Sequence, residues 1–447
     1  MTSAPPDHGP PRRRFALPAV LTAAAVAAGA TGVLAATGHL PWSGPQSADC
    51  DDAGPLPVTR TADGGLNVVT AADADHVWAF GRFEEPAGAG PSSDHRAEPV
   101  PRAYQWDEGA WAEMELPAVW QGTPVFAEAA GPADLWVLIS ESRDPTGTPP
   151  ESTATIGLYQ YAAMHFDGRR WHRYDLADLP VPVADHADEP RLRTATDLEV
   201  AGPSDVWVMA VGSGDPARDR RALRFDGEQW GEAPEPETGR ELAAIGPDDI
   251  IAVGADGPRL TAERWDGERW AAMDVPQPPG PEPGPEPGPG PAHGFEETAF
   301  TDVHAVAADD VWAVGRQADT AGTTAGPAGP SAVLAHWDGA EWSVTRDDDY
   351  SGFDYVHGDG DGGLWLRTEQ GAILHRDATG DFTAHDPAPD LPHDGDTHGR
   401  HQTRADVPAT ALAPIPGTRT LAAGGSLVET TDGDITRQEP AARICRN

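Results

Sequence analysis

Two short patterns of apolar and polar positions alternate along most of the chain. The first is an acidic turn running into an apolar strand. It reads Ala74-Asp75-His76-Val77-Trp78-Ala79-Phe80-Gly81, Ala133-Asp134-Leu135-Trp136-Val137, Ser204-Asp205-Val206-Trp207-Val208, Asp248-Asp249-Ile250-Ile251-Ala252-Val253-Gly254 and Asp309-Asp310-Val311-Trp312-Ala313-Val314-Gly315, with a degenerate sixth copy at Gly362-Gly363-Leu364-Trp365-Leu366. The second follows each of these: Trp106-Asp107-Glu108-Gly109-Ala110-Trp111, Phe166-Asp167-Gly168-Arg169-Arg170-Trp171, Phe225-Asp226-Gly227-Glu228-Gln229-Trp230, Trp265-Asp266-Gly267-Glu268-Arg269-Trp270 and Trp337-Asp338-Gly339-Ala340-Glu341-Trp342. Its sixth copy is weaker, His375-Arg376-Asp377 with Phe382. Asp-Gly between aromatic and apolar residues predicts a tight hairpin, because the turn needs positive φ and glycine adopts it without strain.

Each pattern is thus one hairpin, and two hairpins make a four-stranded sheet recurring every 44 to 71 residues. Isolated hairpins are unstable, so the units must pack on one another, as blades of a propeller do. A seventh unit is expected between Ala409 and Arg437, where Leu412-Ala413-Pro414-Ile415, Thr420-Leu421-Ala422-Ala423-Gly424-Gly425 and Leu427-Val428-Glu429 precede a turn at Asp432-Gly433. Leu66-Asn67-Val68-Val69 already serves the first blade. The fold class is therefore all-β: a single β-propeller of seven four-stranded blades, with six as the alternative, over residues 57–447.

The run DVWAVG followed by HWDGxxW resembles the repeat of secreted bacterial propellers, especially those of actinobacteria, and is similar to kelch and galactose-oxidase-type propellers. The resemblance covers about residues 57–440 and implies the fold, while that architecture hosts many activities. A galactose oxidase would need a tyrosine crosslinked to a cysteine and two histidine ligands, and neither cysteine is expected within a blade.

The ends of the chain carry an address. Residues 1–14 form a basic tail ending in Arg12, Arg13 and Arg14, and an apolar run of 23 residues follows from Phe15 to Thr37. That run is long enough to span a bilayer as one helix, and the arginines would hold its N-terminal side in the cytoplasm. Arg12-Arg13-Arg14-Phe15 also matches the core of a twin-arginine export signal, with Ala28-Gly29-Ala30 as a cleavage site. A single-pass anchor with an extracellular C-terminal domain and a secreted protein both stay open, and either exports the propeller. Residues 38–56 read as a linker.

The chain has two cysteines, Cys50 and Cys445. Outside the cytoplasm such a pair is expected as a disulfide, and closing a ring brings its ends together. Linking them would stabilise by about 5 to 6 kcal/mol in the chain-entropy view, before native strain. Ser47-Ala48-Asp49 before Cys50 does not match a lipidation site.

Composition narrows the chemistry. Asp and Glu number 72 against 31 basic residues, for a formal charge of −41, which disfavours nucleic acid and anionic headgroups as partners. All the basic residues except histidine are arginine, so lysine Schiff-base and pyridoxal-phosphate chemistry are excluded. His393, Asp394, Asp396, His398 and His401 form a metal-capable group in one loop, although a polar loop of this kind is commonly just solvated. Asp359-Gly360-Asp361-Gly362 is reminiscent of a calcium loop but supplies two carboxylates and aligns with the first turn of the sixth blade. The turn spacing does not fit a sialidase Asp-box, no Ser-His-Asp set with a nucleophile elbow is found, and no phosphate-binding glycine loop is found. Carboxylate pairs for glycoside hydrolysis exist by number alone. The recurrent tryptophans and aspartates read as packing and turn caps.

Chain parity places the long connections together. The first and third turns of each blade are short, whereas Arg82–Pro101, Ser140–Gly157, Asp175–Arg191, Gln277–Gly294, Arg316–Ser331 and Pro387–Val407 all open on the opposite face. Variable loops on a rigid scaffold are where binding concentrates. Residues 276–294 form a Pro-rich insert of repeated Pro-Glu-Pro-Gly, an extended spacer between complete repeats. These features predict a monomeric binding or scaffold module outside the cell, taking a protein or a cell-envelope glycan on the long-loop face, with no catalytic residues, cofactor or metal. The alternative is an exported glycan hydrolase or lyase using the same face.

Overall fold

The computed structural model describes residues 46–49, 51–52, 56, 63–84, 100–107, 110–143, 158–176, 193–212, 220–278, 298–317, 330–386, 402–416, 418–431 and 434–446. All belong to one compact unit, Leu40–Asn447. Their strands form seven sheets in a ring. Two short strands come first, β1 (Gln46–Asp49) and β2 (Asp51–Asp52). Blade 1 is β3 (Asp63–Asp73), β4 (His76–Glu84), β5 (Val100–Asp107) and β6 (Ala110–Met114). Blade 2 is β7 (Thr123–Gly131), β8 (Asp134–Arg143), β9 (Leu158–Phe166) and β10 (Trp171–Asp175). Blade 3 is β11 (Arg193–Gly202), β12 (Asp205–Gly212), β13 (Arg220–Phe225) and β14 (Trp230–Ala233). Blade 4 is β15 (Gly239–Gly246), β16 (Asp249–Asp256), β17 (Arg259–Trp265) and β18 (Trp270–Met273). Blade 5 is β19 (Ala299–Ala307), β20 (Asp310–Gln317), β21 (Ser331–Trp337) and β22 (Trp342–Asp347). Blade 6 is β23 (Phe353–Gly358), β24 (Leu364–Thr368), β25 (Ile373–Arg376) and β26 (Phe382–Asp386), and blade 7 is built on β27 (Gln402–Ile415), β28 (Thr420–Thr431) and β29 (Asp434–Arg446).

The seventh blade settles the blade count and closes the ring. Its fourth, outer strand is β2, with Asp51 opposite Ile444 and Asp52 opposite Arg443. Just before it, β1 pairs in parallel with β26 as a fifth strand on blade 6. The segment 38–56, expected as a linker, therefore contributes strands to two neighbouring blades. Backbone groups at the free sheet edges of blades 6 and 7 need partners, and this short polar segment supplies them.

The apolar second strands follow from burial on both faces. Alternate residues of a strand point to opposite sides, so Val77 and Ala79 pack toward blade 7 while Trp78 and Phe80 pack toward blade 2. The same division repeats around the ring, giving one buried cluster at each of seven interfaces, the last joining Trp365 and Ile373 to Leu412, Leu421 and Cys445. Cys445 thus lies within blade 7, on β29, against the expectation that neither cysteine falls in a blade, because the last strand of the chain is itself a blade strand. Trp78, Trp136, Trp207 and Trp365 are completely buried, as expected for residues that pack between sheets.

The Asp-Gly hairpins take the geometry their sequence requires. Gly168, Gly227, Gly267 and Gly339 have φ of 81°, 95°, 91° and 91°. The preceding carboxylate caps the two amides beyond the glycine, for example Asp338 Oδ1 accepting from Ala340 N and Glu341 N at 2.9 Å each. The glycine also lies against the first turn of its own blade: a Cβ on Gly339 would stand 2.7 Å from Asp309 Cβ. Gly339→Ala should thus cost about 1 to 3 kcal/mol, from a left-handed φ and a clash together. Gly231→Ala, where nothing lies within 4 Å, should be near neutral, and urea unfolding of the two variants checks both.

No helix among the described residues is long and apolar enough to cross a membrane. The predicted helix at 15–37, Cys50, the insert beyond Pro278 and the His393–His401 group lie outside the described residues.

Candidate functional site

The aspartate of the first pattern does more than cap a turn. In blades 2 to 5 it accepts a hydrogen bond from the basic residue that precedes the aromatic of the second pattern, on the third strand. Asp134 pairs with His165 at 2.8 Å, Asp249 with Arg264 at 2.6 Å and Asp310 with His336 at 2.9 Å. Asp205 takes both Arg224 Nε, at 2.7 Å, and Arg224 Nη2. The base lies on the tryptophan beside it: His165 stacks on Trp136 and His336 on Trp312 at 4.1 Å, and Arg224 sits over Trp207 at 5.1 Å.

Blade 6 keeps this arrangement by a different route. Its first pattern has Gly363 where the others have aspartate, and Asp359 reaches into the vacated place, its Oδ2 lying 2.4 Å from where a Cβ on Gly363 would be. Asp359 accepts from His375 Nε2, Asp361 N and Gly363 N, all at 2.8 Å. Its oxygens are occupied by turn and strand, so the Asp359–Gly362 segment is the blade's own polar anchor.

A second set of polar residues lies at the centre of the ring and was not singled out from sequence. The seven inner strands β3, β7, β11, β15, β19, β23 and β27 line a cavity of ≈570 Å³. Glu128, Asp197, Glu199, Glu241 and Asp302 face it, together with His304, Tyr355, His357 and the pair Asp354–Arg367. Four of the five carboxylates reach across to the next inner strand and accept from its backbone. Glu128 takes Val200 N at 2.7 Å, Asp197 takes Leu242 N at 2.6 Å, Glu199 takes Ala244 N at 2.6 Å and Asp302 takes Val356 N at 2.7 Å. Beside two of them a threonine adds a bond: Thr196 donates to Arg240 O at 3.0 Å and Thr301 to Phe353 O at 2.6 Å. Inner strands have no ladder partner on the channel side, and these side chains satisfy amides that the sheets leave open.

Enclosure by the ring governs how these groups ionise. Burial pushes Glu128 up to about 8, Asp197 up to about 7 and Asp302 up to about 8, against the lowering effect of their amide donors. Glu199 and Glu241 are held well above the usual carboxylate range by burial and then by neighbouring carboxylates. His304 and His357 stack at 3.6 Å. Burial lowers His357 to about 4 and His304 well below its ordinary value, so the pair is neutral at pH 7. His357 Nδ1 donates to Gly358 O at 2.9 Å.

No three His, Cys, Asp or Glu side chains among the described residues converge closely enough to hold a metal ion. Chemically, the cavity offers carboxyl oxygens at two depths and an imidazole pair.

No protein-family model matches this sequence, and no curated protein is similar to it at a significant level. Among solved structures the chain is similar to YCF48 bound to D1 peptide, at 11% identity and a TM-score of 0.44, covering 90% of this chain and 98% of that one. It is also similar to the β-propeller domain of the Trilobed protease from Pyrococcus furiosus, at 10% identity and a TM-score of 0.44, covering 85% and 96%. Virginiamycin B lyase from Staphylococcus aureus gives 12% identity and a TM-score of 0.42, covering 88% and 97%. These are distant likenesses of fold.

Proposed function

We propose that this propeller is a non-catalytic binding module displayed outside the cell, recognising a protein or an envelope glycan on the face where the long connections open. The observation that carries the reading is the occupation of the polar groups. The aspartates of the repeats hold base, tryptophan and turn together, and four of the five channel carboxylates join neighbouring blades. Such groups build a rigid scaffold, and rigid scaffolds commonly present their binding residues on connecting loops. Antiparallel pairing supports one end for those loops, since the second turns and the blade-to-blade links all leave from the same strand ends.

Residues 15–37 serve as membrane anchor or export signal in this reading, and the repeat is of the secreted, actinobacterial, kelch-like kind. A Cys50–Cys445 disulfide fits the closure: Asp51, next to Cys50 in the chain, lies opposite Ile444, next to the fully buried Cys445. A second reading, an exported glycan hydrolase or lyase, is favoured by the channel carboxylates that keep a proton near neutral pH, as a general acid must.

One preparation separates the two. Full-length protein incubated with cell-envelope material should sediment with it and release no reducing ends or unsaturated sugars, and its gel mobility should change on reduction. Soluble sugar products would replace the binding reading by the enzymatic one, and failure to sediment with any envelope fraction would remove the envelope glycan as partner.

A further inference from the structure

The central cavity has a use that does not depend on what the loop face binds. Its carboxylates lie on two levels. Asp197, Glu241 and Asp302 sit opposite Met209, Val253 and Val314, the fourth apolar position of each second strand, whereas Glu128 and Glu199 sit opposite Trp136 and Trp207. The two levels are two residues apart along the inner strands, a separation of about 7 Å.

Three further observations point to a guest. The Glu241 carboxylate, which lines the cavity, accepts no hydrogen bond among the described residues, and Arg240 is the cation whose charge reaches it. The bridging carboxylates use one or two lone pairs each on backbone amides and keep others for the cavity. Arg367 is the one arginine among the described residues that line the cavity, and it is bound to Asp354 at 2.7 Å. These acids outnumber the two arginines whose charges reach them, Arg240 at Glu241 and Arg367 at Asp302, and hold protons that an entering cation would replace.

The ligand class follows from the spacing. Since no three of these side chains converge on a point, a single metal ion would be poorly held. A linear cation with amino groups separated by three or four methylenes matches the two levels, and its apolar stem would run along Val68, Leu198, Val303 and Val356. Inner-strand residues 67–71, 125–129, 196–200 and 301–305 line the cavity, a depth of about 13 Å that accommodates such a chain lengthwise. We propose that the central cavity is a binding site for a linear polyamine, gripped at two depths by Asp197, Glu241 and Asp302 and by Glu128 and Glu199.

Titration calorimetry of the full-length protein with spermidine at pH 8 tests this, with butylamine and calcium chloride as comparisons. The expected result is one saturable spermidine site that neither comparison reproduces. Glu241→Gln should weaken that site at least about tenfold, the usual cost of losing one charge-assisted hydrogen bond. It should leave the fold intact, because the native carboxylate accepts no hydrogen bond among the described residues. Val68→Lys, which tethers an ammonium group inside the cavity, should abolish the site while raising thermal stability at pH 8. Many weak sites unaffected by Glu241→Gln would mean that spermidine coats the acidic surface, and would overturn the proposal. Calcium binding more tightly than spermidine at the same site would overturn it equally.

Discussion

The melting temperature of the propeller should fall as pH rises from about 6.5 to 8.5, a slope that fully solvated acids would not give. The cause is the channel. Glu128, Asp197 and Asp302 titrate at about 8, 7 and 8 in the fold, and Glu199 and Glu241 are raised as well. An unfolded chain loses these protons near pH 4, so between about pH 4 and 8 the folded state binds more protons and its stability declines with rising pH. The neutral histidines act the other way. His304, His357 and His385 are all lowered by burial, so below about pH 6.5 the unfolded chain takes up protons that the fold refuses, and stability declines toward acid. The two limbs cross, leaving the steepest fall above the ordinary histidine pKa and below about 8.

The magnitude is bounded by what neighbouring carboxylates can hold. Groups that repel one another do not keep five independent protons, and each keeps part of its surface open to the cavity. Two net protons already amount to about 2.7 kcal/mol per pH unit, a shift of several degrees for a domain of this size. The other charged groups at the site are Arg367, bound to Asp354, and Arg240 beside Glu241, while Tyr355, raised well above its usual value by burial, stays neutral. Calorimetric scans across this range check the slope, and Asp302→Asn, which keeps an acceptor for Val356 N, should flatten it and stabilise the fold at pH 8. A rising or level melting temperature would mean that the carboxylates are ionised and solvated in the channel.

How much of this was legible in the sequence depends on which partner a residue has. The Trp and Asp-Gly patterns predicted blades because every one serves a local turn or a repeated interface. The pairing of Asp310 with His336 was within reach, since a base precedes the aromatic in four copies, at His165, Arg224, Arg264 and His336, yet the two residues belong to different hairpins. Blade 7 lacks the second pattern for a physical reason: its fourth strand is β2, so the chain has no outer hairpin there to code. Gln46–Asp49 and Asp51–Asp52 carry no apolar alternation, and only free sheet edges reveal them as strands.

The channel acids were hidden by number and by period. Among 72 acidic residues, those in Thr196-Asp197-Leu198-Glu199-Val200 resemble any strand with one solvated face, and attention to loops passes over them. Alternation was the available signal, because an inner strand has no solvent face and its polar residues must turn to the channel. Thr196-Asp197 and Thr301-Asp302 repeat the same two bridges between blades, a similarity visible only once the strands are aligned.

Outside the channel, the greatest loss from a single side chain is expected at Glu263. This residue is 6% exposed on the third strand of blade 4. Its Oε1 accepts from Thr238 N at 2.7 Å, Thr238 Oγ1 at 2.8 Å and Gly239 N at 3.2 Å, and its Oε2 accepts from Glu237 N at 2.7 Å. These donors are the last residues of the link from blade 3 and the first of β15, so one carboxylate fixes where the fourth blade begins. Arg220 holds the same link from the other side through the carbonyls of Glu237 and Thr238. Glu263→Ala removes an acceptor from four donors and leaves a void among Arg220, Thr238 and Gly239. Unsatisfied buried amides cost about 1 to 3 kcal/mol each, less where water enters, so a total of about 3 to 5 kcal/mol is expected. Glu263→Gln keeps Oε1 and turns an amide N–H against Glu237 N, and should cost about 1 to 2 kcal/mol. Denaturant titration of the two variants tests the ordering: equal losses would show that the link is held by Arg220 and packing, with the carboxylate incidental.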